Sequence, residues 1–523
     1  MKAFLMYPGR DFSMAGELPA NEPALTQDLG LDVLFGAMAR GDGFLFEVAR
    51  RAVLSSLTEP EAISYRQRVF ADCLAQASVV RQIYAIAVEA IDGEKKVYRG
   101  FFSEYPDAVL RRSVEVLQLF VGILRRLRQI ADEHAADFRS DGFAAFFGAV
   151  TRELGDDYFQ AVEDHLRQLG FRNGVLLSAG LGKGNKGVNY VLRRRRKVKR
   201  SLLERISVSN RPAYTLRISD RDESGARALA ELRGRGINLA ANALAQSTDH
   251  ILSFLTMLRR ELGFYVGCLN LHEQLARKGE PVCFPVPLAA AELALSCRGL
   301  YDVCLSLRLE TRAVGNDVNA DGKSLVMVTG ANQGGKSTFL RSAGLAQLMM
   351  QCGMLVAAES FSANVCEGLF THYKREEDAD MNSGKLDEEL SRMSEIADNI
   401  TPSSVILFNE SFAATNEREG SEIARQIVRA LLESGVKVFF VTHQFDLAHS
   451  LFLQQAPAAL FLRAERRADG QRTFRLGEGE PLPTSYGQDL YERIFGAVPQ
   501  PAAAPAGRRP AGSHPDGQRC GQQ

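Results

Sequence analysis

The sequence predicts an α/β domain with a mostly parallel sheet, preceded by a mainly α-helical module. Three observations carry this. Apolar residues recur at three- and four-residue spacing from about Leu29 to Gln168 and again from about Ser224 to Arg277. Beyond Pro287, short β-branched runs alternate with helical stretches. Between these regions, Gly279-Glu-Pro-Val-Cys-Phe-Pro-Val-Pro287 breaks the helical pattern, because proline lacks the donor a helix needs. The 523 residues suffice for two or three domains, each with its own core. The boundaries read as residues 1–280 for the helical module, 281–495 for the α/β domain and 496–523 for a tail.

Within the helical module, Ala108-Val-Leu-Arg-Arg-Ser-Val-Glu-Val-Leu-Gln-Leu-Phe-Val is rich in good helix formers. A glycine-rich and basic insertion spans about 171–220, where Ala213-Tyr-Thr-Leu-Arg-Ile-Ser219 alternates like a strand. In the α/β domain, the runs beginning at Ser324, Ser404 and Val436 are too apolar for half-exposed strands and fit buried parallel ones. Ala459 to Leu476 reads as a hairpin turning at Asp469-Gly470. The tail after Phe495, rich in Ala, Pro and Gly, is expected to be disordered.

The 63 basic and 63 acidic residues exclude a globally basic nucleic-acid coat but leave room for a local patch. Eight cysteines, none in a C-x-x-C pair, are too sparse for a disulfide scaffold, and eight histidines show no zinc spacing. The N-terminal apolar stretch is too short for a signal peptide, and no run approaches the roughly 18 apolar residues of a membrane span. A cytoplasmic protein with reduced thiols and no membrane partner is expected.

Gly330-Ala-Asn-Gln-Gly-Gly-Lys336-Ser337 fits G-x-x-x-x-G-K-[ST] in full. Glycines let backbone amides close around phosphates, the lysine reaches the β and γ oxygens, and the serine hydroxyl ligates Mg²⁺. The helix expected from Ser337 adds the positive end of its dipole. Gly330, Asn332, Gly334, Gly335, Lys336, Ser337 and Thr338 are therefore candidate nucleotide contacts, with ATP and Mg²⁺ as the cofactors.

Val405-Ile-Leu-Phe-Asn409-Glu410 is an apolar strand ending in a polar pair. A carboxylate there can orient an attacking water or accept its proton, which makes Glu410 the candidate base. Asn409 stands where an aspartate is usual; its carbonyl oxygen can help Ser337 hold the metal, but a charge is lost, so weaker Mg²⁺ binding and slower hydrolysis are expected. Thr442-His443 follows Val436–Val441, and His443 is placed to sense a γ-phosphate.

These residues resemble the MutS family of DNA mismatch-repair ATPases, which have an ABC-type P-loop ATPase domain. Thr329-Gly-Ala-Asn-Gln-Gly-Gly-Lys-Ser-Thr-Phe-Leu-Arg341 is similar to the family's extended phosphate loop. Val314-Gly-Asn316-Asp317, Asn409-Glu410 through Thr415, Glu419-Gly420, Val441-Thr-His443 and Ser485-Tyr-Gly487 resemble further family elements. Gly353-Met-Leu-Val-Ala-Ala resembles the strand after the first helix, and Ile63-Ser-Tyr-Arg-Gln-Arg-Val an arginine-glutamine helix of the family core. The resemblance implies a homodimer whose two ATPase domains complete each other's sites, switched by ATP, with helical levers reaching DNA. It also implies a serine offered by the partner to the γ-phosphate. Ser383 is the candidate, and it is equally placed to cap the helix expected over Leu386–Ile400. The family's N-terminal mismatch-reading domain is not recognised; Phe102-Ser-Glu104 fits its Phe-x-Glu triplet only by coincidence.

The run Arg193, Arg194, Arg195, Arg196, Lys197, Val198, Lys199 and Arg200 lies where MutS-like proteins carry a DNA clamp. It reads as a phosphate-attracting patch or as a solvated charged loop. The expected activity is that of a MutS-type ATPase on duplex or branched DNA, with a possible repair accessory protein. An ATP-driven switch acting on a protein partner, and a nucleotide-binding module that barely hydrolyses, remain as alternatives.

Overall fold

A computed structural model describes residues 1–97, 105–171, 174–194, 217–219, 221–375, 384–454, 458–467 and 470–483. In the N-terminal half, the amphipathic spacing becomes α1 (Glu22–Leu29), α2 (Leu31–Ala39), α3 (Gly43–Leu54), α4 (Pro60–Ala75), α5 (Ala77–Lys96), α6 (Pro106–His134), α7 (Asp141–Glu153) and α8 (Asp156–Leu169). Capping chemistry sets the starts. Asp42 accepts the Phe44 and Leu45 amides at 2.8 and 3.1 Å, and prolines occupy the first turns of α4 and α6.

An antiparallel hairpin, β1 (Leu177–Leu181) with β2 (Gly187–Leu192), precedes the 55-residue helix α9 (Glu223–Arg277). Most of α9 up to Ser253 is exposed. From Phe254 onward its side chains are mostly buried, and the helix packs against α2, α3, α4, α5 and α6. The α/β region then runs β3 (Val286–Leu288), β4 (Leu295–Leu300), α10 (Val303–Arg308), β5 (Asn316–Asn319), β6 (Leu325–Gly330), α11 (Lys336–Gln351), β7 (Ser360–Asn364), β8 (Leu369–Tyr373), α12 (Lys385–Asn399), β9 (Val405–Asn409), α13 (Glu417–Glu433), β10 (Lys437–Val441), α14 (Phe445–Leu453), β11 (Ala459–Arg466) and β12 (Arg472–Glu478).

One sheet has six strands in the order β12-β11-β6-β10-β9-β8. It is parallel except at the β11–β12 hairpin. Strands β6, β9 and β10 are buried nearly throughout, as their continuous apolar runs require when both faces are covered. Their carboxyl ends point the same way, so the segments that follow them converge at one edge. A second, four-stranded sheet, β3-β7-β4-β5, was not foreseen.

Of three consecutive residues of α4, Tyr65 ties the helix to the N-terminal segment, while Arg66 and Gln67 stitch the two regions together. Tyr65 Oη donates to the Phe4 carbonyl at 2.6 Å, and Gln67 Nε2 to that of Pro285 at 2.9 Å. The fully buried Arg66 donates to the carbonyls of Met6 at 2.9 Å and Cys352 at 3.2 Å. Residues of both regions share one apolar core.

Two sequence expectations need correction. Gly353–Ala358 is not a strand: Val356 pairs only with Cys283 in an isolated bridge, and the Ala357 carbonyl accepts from the Tyr301 amide. These separate partners draw the backbone away from a ladder, and the strand forms instead at Ser360–Asn364. Of the strand expected at 213–219, residues 213–216 lie outside the described residues and Arg217–Ser219 form no strand. Phe102–Glu104, Asp469, Ser485–Gly487 and the 496–523 tail also lie outside the described residues. No single described helix is long and apolar enough to cross a membrane.

Candidate functional site

The link between β6 and α11 makes a tight reversal that its glycines permit. Gly330 has φ +103°, and a Cβ there would sit 2.8 Å from the Ala464 amide nitrogen. A Cβ at Gly334 would meet the Ala331 carbonyl oxygen, also at 2.8 Å. Gly335 caps α11 at φ +93°. Lys336 opens the helix and folds back over the loop, its Nζ donating to the Gly330 and Ala331 carbonyls at 3.1 Å each. Burial lowers the ammonium pKa, and the negative charge of Glu410 works against that shift.

The strand β9 delivers Asn409 and Glu410 beside this loop. Ser337 Oγ donates to Asn409 Oδ1 at 2.8 Å, so two residues chosen 72 positions apart meet. His443, just after β10, places Nδ1 3.8 Å from Glu410 Oε1. Its proximity is the main reason the Glu410 carboxyl lies below the usual range; Lys336 and Lys374 add to it, against the effect of burial. Glu410 stays ionised and so can accept a proton or orient a water.

Around these groups is a cavity of about 750 Å³. Asn332, Gly334, Gly335, Lys336, Ser337 and Thr338 line one side, with Glu410 and His443 beside them. Sequence reasoning missed Asp302, Leu305, Leu309 and Phe474 as further lining residues, and took Val314 and Asn316 only as family likeness. Phe474 arrives from β12, and Asn316 fixes that strand: its Oδ1 accepts the Leu476 amide at 2.8 Å, and its Nδ2 donates to the Phe474 carbonyl at 3.3 Å. No local motif announces a contact of that span. Asp302 carried a weak signal as a helix cap: it accepts the Leu305 amide at 2.9 Å while pairing with Arg341 of α11. Leu305, Leu309, Val314 and Phe474 make part of the cavity lining apolar, a surface suited to a flat ring.

Of the basic run, Arg193 and Arg194 are described and exposed at the end of β2, with Lys183 and Lys186 exposed in the same hairpin. Arg193 Nε donates to Ser178 Oγ at 2.9 Å. Arg195, Arg196, Lys197, Lys199 and Arg200 lie outside the described residues, as does Ser383.

A parallel sheet with a strand–glycine turn–helix unit at its carboxyl edge defines a mixed α/β protein of the P-loop class. Comparison with protein families makes this specific: the MutS2 N-terminal domain model matches residues 58–278, and the MutS domain V model matches residues 326–493. The chain belongs to the MutS family. It is 33% identical over 205 residues to a DNA mismatch repair protein MutS from Syntrophomonas wolfei, covering 39% of this chain and 24% of that protein. MutS protein homolog 4 of Mus musculus is 30% identical over 152 residues, 29% of this chain and 16% of its own length. The Porphyromonas gingivalis DNA mismatch repair protein MutS is 29% identical over 191 residues, 36% and 21% of the two chains. The match thus spans less than a quarter of these relatives.

Proposed function

We propose that the chain is an ATP-dependent, DNA-binding ATPase of the MutS type, acting in mismatch repair or on branched or damaged DNA, with ATP binding switching a dimeric clamp. Residues 281–495 are read as the ABC-type ATPase domain and 1–280 as its core and lever. The observation that carries the reading is the meeting of Ser337, Glu410 and His443 with the glycine turn around one cavity, with Asn409 bonded to Ser337 beside it.

In this reading the amides from Gly330 to Gly335 and the Lys336 ammonium grip the phosphates. The Ser337 hydroxyl and the Asn409 carbonyl oxygen, already 2.8 Å apart, suit a small hard cation that keeps most of its waters. Bound there, Mg²⁺ would supply charge neutralisation on the phosphate oxygens. Glu410 holds the attacking water and takes its proton, with His443 alongside to feel the γ-phosphate. Ser383 from the partner completes the site, and differential contacts in the ATP and ADP states bias the dimer. DNA phosphates meet the basic hairpin and the run from Arg193 to Arg200. Homodimerisation and a repair accessory protein follow from the family reading.

Single-turnover hydrolysis tests the reading. Glu410→Gln should keep nucleotide binding and lose about 100-fold or more in rate, the usual contribution of a positioned base. Equal rates in the two proteins would remove Glu410 from its role. DNA binding that is absent even at low salt would favour a switch acting on a protein partner.

A further inference from the structure

The residues after Glu410 are held by more than the phosphate cavity requires. Glu410 and Phe412 have φ of +54° and +60°. Left-handed backbone costs a residue with a side chain roughly 1–2 kcal/mol and persists only where its surroundings enforce it. Ser411 stands between them, fully buried. Its Oγ lies 2.7 Å from His372 Nδ1 and 2.5 Å from the His372 carbonyl oxygen. His372, on β8, is itself fully buried, and its Nε2 lies 2.9 Å from the Glu389 carbonyl oxygen on α12. The imidazole stacks on the Phe412 ring with centroids 5.1 Å apart and planes 18° off parallel. Across the loop, Gln444 Nε2, next to His443, donates to the Phe412 carbonyl at 3.1 Å.

The imidazole proton can be assigned. A carbonyl only accepts, so Nε2 carries a hydrogen and donates it to Glu389. Burial pushes the imidazole down to about 4, so the ring is neutral near pH 7 and Nδ1 is an acceptor. Ser411 has one hydroxyl proton and two acceptors in reach, His372 Nδ1 and the His372 carbonyl oxygen, and either bond ties Ser411 to β8, whose imidazole in turn donates to α12. The Glu389 side chain is buried on the same side of the loop. Burial raises its carboxyl, while the Arg392 charge and the nearby Phe412 amide oppose that shift. Helix α12 thus holds the loop through His372 and Ser411, with the buried Glu389 carboxyl beside Phe412, and neither contact is part of the cavity lining.

We infer that His372, Ser411 and Glu389 form a buried clasp that positions the Glu410 carboxylate for hydrolysis and links it to the placement of α12. They are positioning residues, acting through the backbone of residues 410–412. The inference rests on the ATPase reading above and assigns an origin to the precision that reading needs. A carboxylate on a strained turn swings easily, and a misplacement of about 1 Å can cost up to 100-fold in rate.

The test uses the full chain and three measurements on each variant: single-turnover ATP hydrolysis, affinity for a non-hydrolysable ATP analogue with Mg²⁺, and melting temperature. Ser411→Ala removes one oxygen and is the mild probe; His372→Ala deletes the whole link. Each should lower the hydrolysis rate about tenfold or more while leaving analogue affinity within about twofold. In a Glu410→Gln background, Ser411→Ala should lower the rate no further, because there is no carboxylate left to position. A merely structural role would instead lower analogue affinity together with rate, and would add to Glu410→Gln. That result overturns the inference, as does a wild-type rate in Ser411→Ala when Glu410→Gln is impaired. If Glu410→Gln hydrolyses like the wild type, the ATPase reading of Glu410 has failed first, and the clasp falls with it.

Discussion

Glu261 is fully buried in α9, and its two carboxylate oxygens accept the Leu5 amide at 2.6 Å and the Phe12 amide at 3.2 Å. Burial pushes this carboxyl up to about 7 from an ordinary 4.5, the amide donors only partly opposing it. The folded chain therefore keeps a proton that the unfolded chain releases between those values. The associated stability is fully present below pH 4.5 and is lost as pH rises through 7. At about 1.4 kcal/mol per unit, the loss is roughly 3 kcal/mol. Melting temperature should accordingly fall between pH 5 and 8 with a component that Glu261→Gln removes. Parallel pH profiles for the two proteins would show that this proton is not taken up on folding. Nothing in the sequence marked Glu261, which sits in a charged stretch, Arg259-Arg260-Glu261, that reads as solvent-facing.

What was legible at the level of elements was what local chemistry dictates. The runs at Leu325, Val405 and Lys437 are uniformly apolar and become buried parallel strands, and the glycine spacing after β6 requires a tight turn whatever else the chain does. Ser337, Asn409 and Glu410 could be chosen because each sits at a fixed offset from such an element. The approach of Phe474 to the cavity could not be foreseen, since it depends on how β12 docks through Asn316. The misread strand at Gly353–Ala358 has the same origin. Its apolar run satisfies the pattern, but Arg66 from a distant helix occupies the space beside it. A Cβ at Gly353, where φ is +79°, would lie 2.6 Å from Arg66 Cβ. Gly353→Ala should therefore destabilise the chain by about 1–3 kcal/mol, readable as a lower denaturation midpoint. A midpoint equal to wild type would mean that α4 can yield at this contact.

Across the whole molecule, charge is balanced while the hairpin beside α9 concentrates exposed Lys183, Lys186, Arg193 and Arg194. Replacing Arg193 and Arg194 with serine should weaken binding to duplex or branched DNA and reduce the salt dependence by about two phosphate contacts. An unchanged salt slope would exclude these two side chains from the backbone contact. The same hairpin sits far along the chain from the phosphate turn, and α9 is the element that spans the interval. Its root is embedded and its outer stretch, Glu223–Ser253, is roughly 46 Å long at about 1.5 Å per residue. Along that stretch Arg233 pairs with Asp107, and Ile237 and Ala241 pack on Leu110 of α6, so the two helices form one arm rooted where α9 becomes buried. A tilt of about 5° at the root, within the range of small sliding motions between packed helices, sweeps the far end of this arm through roughly 4 Å. Sub-ångström repacking near Arg66 and Cys352 would thus be magnified into a displacement comparable to the spacing of successive base pairs.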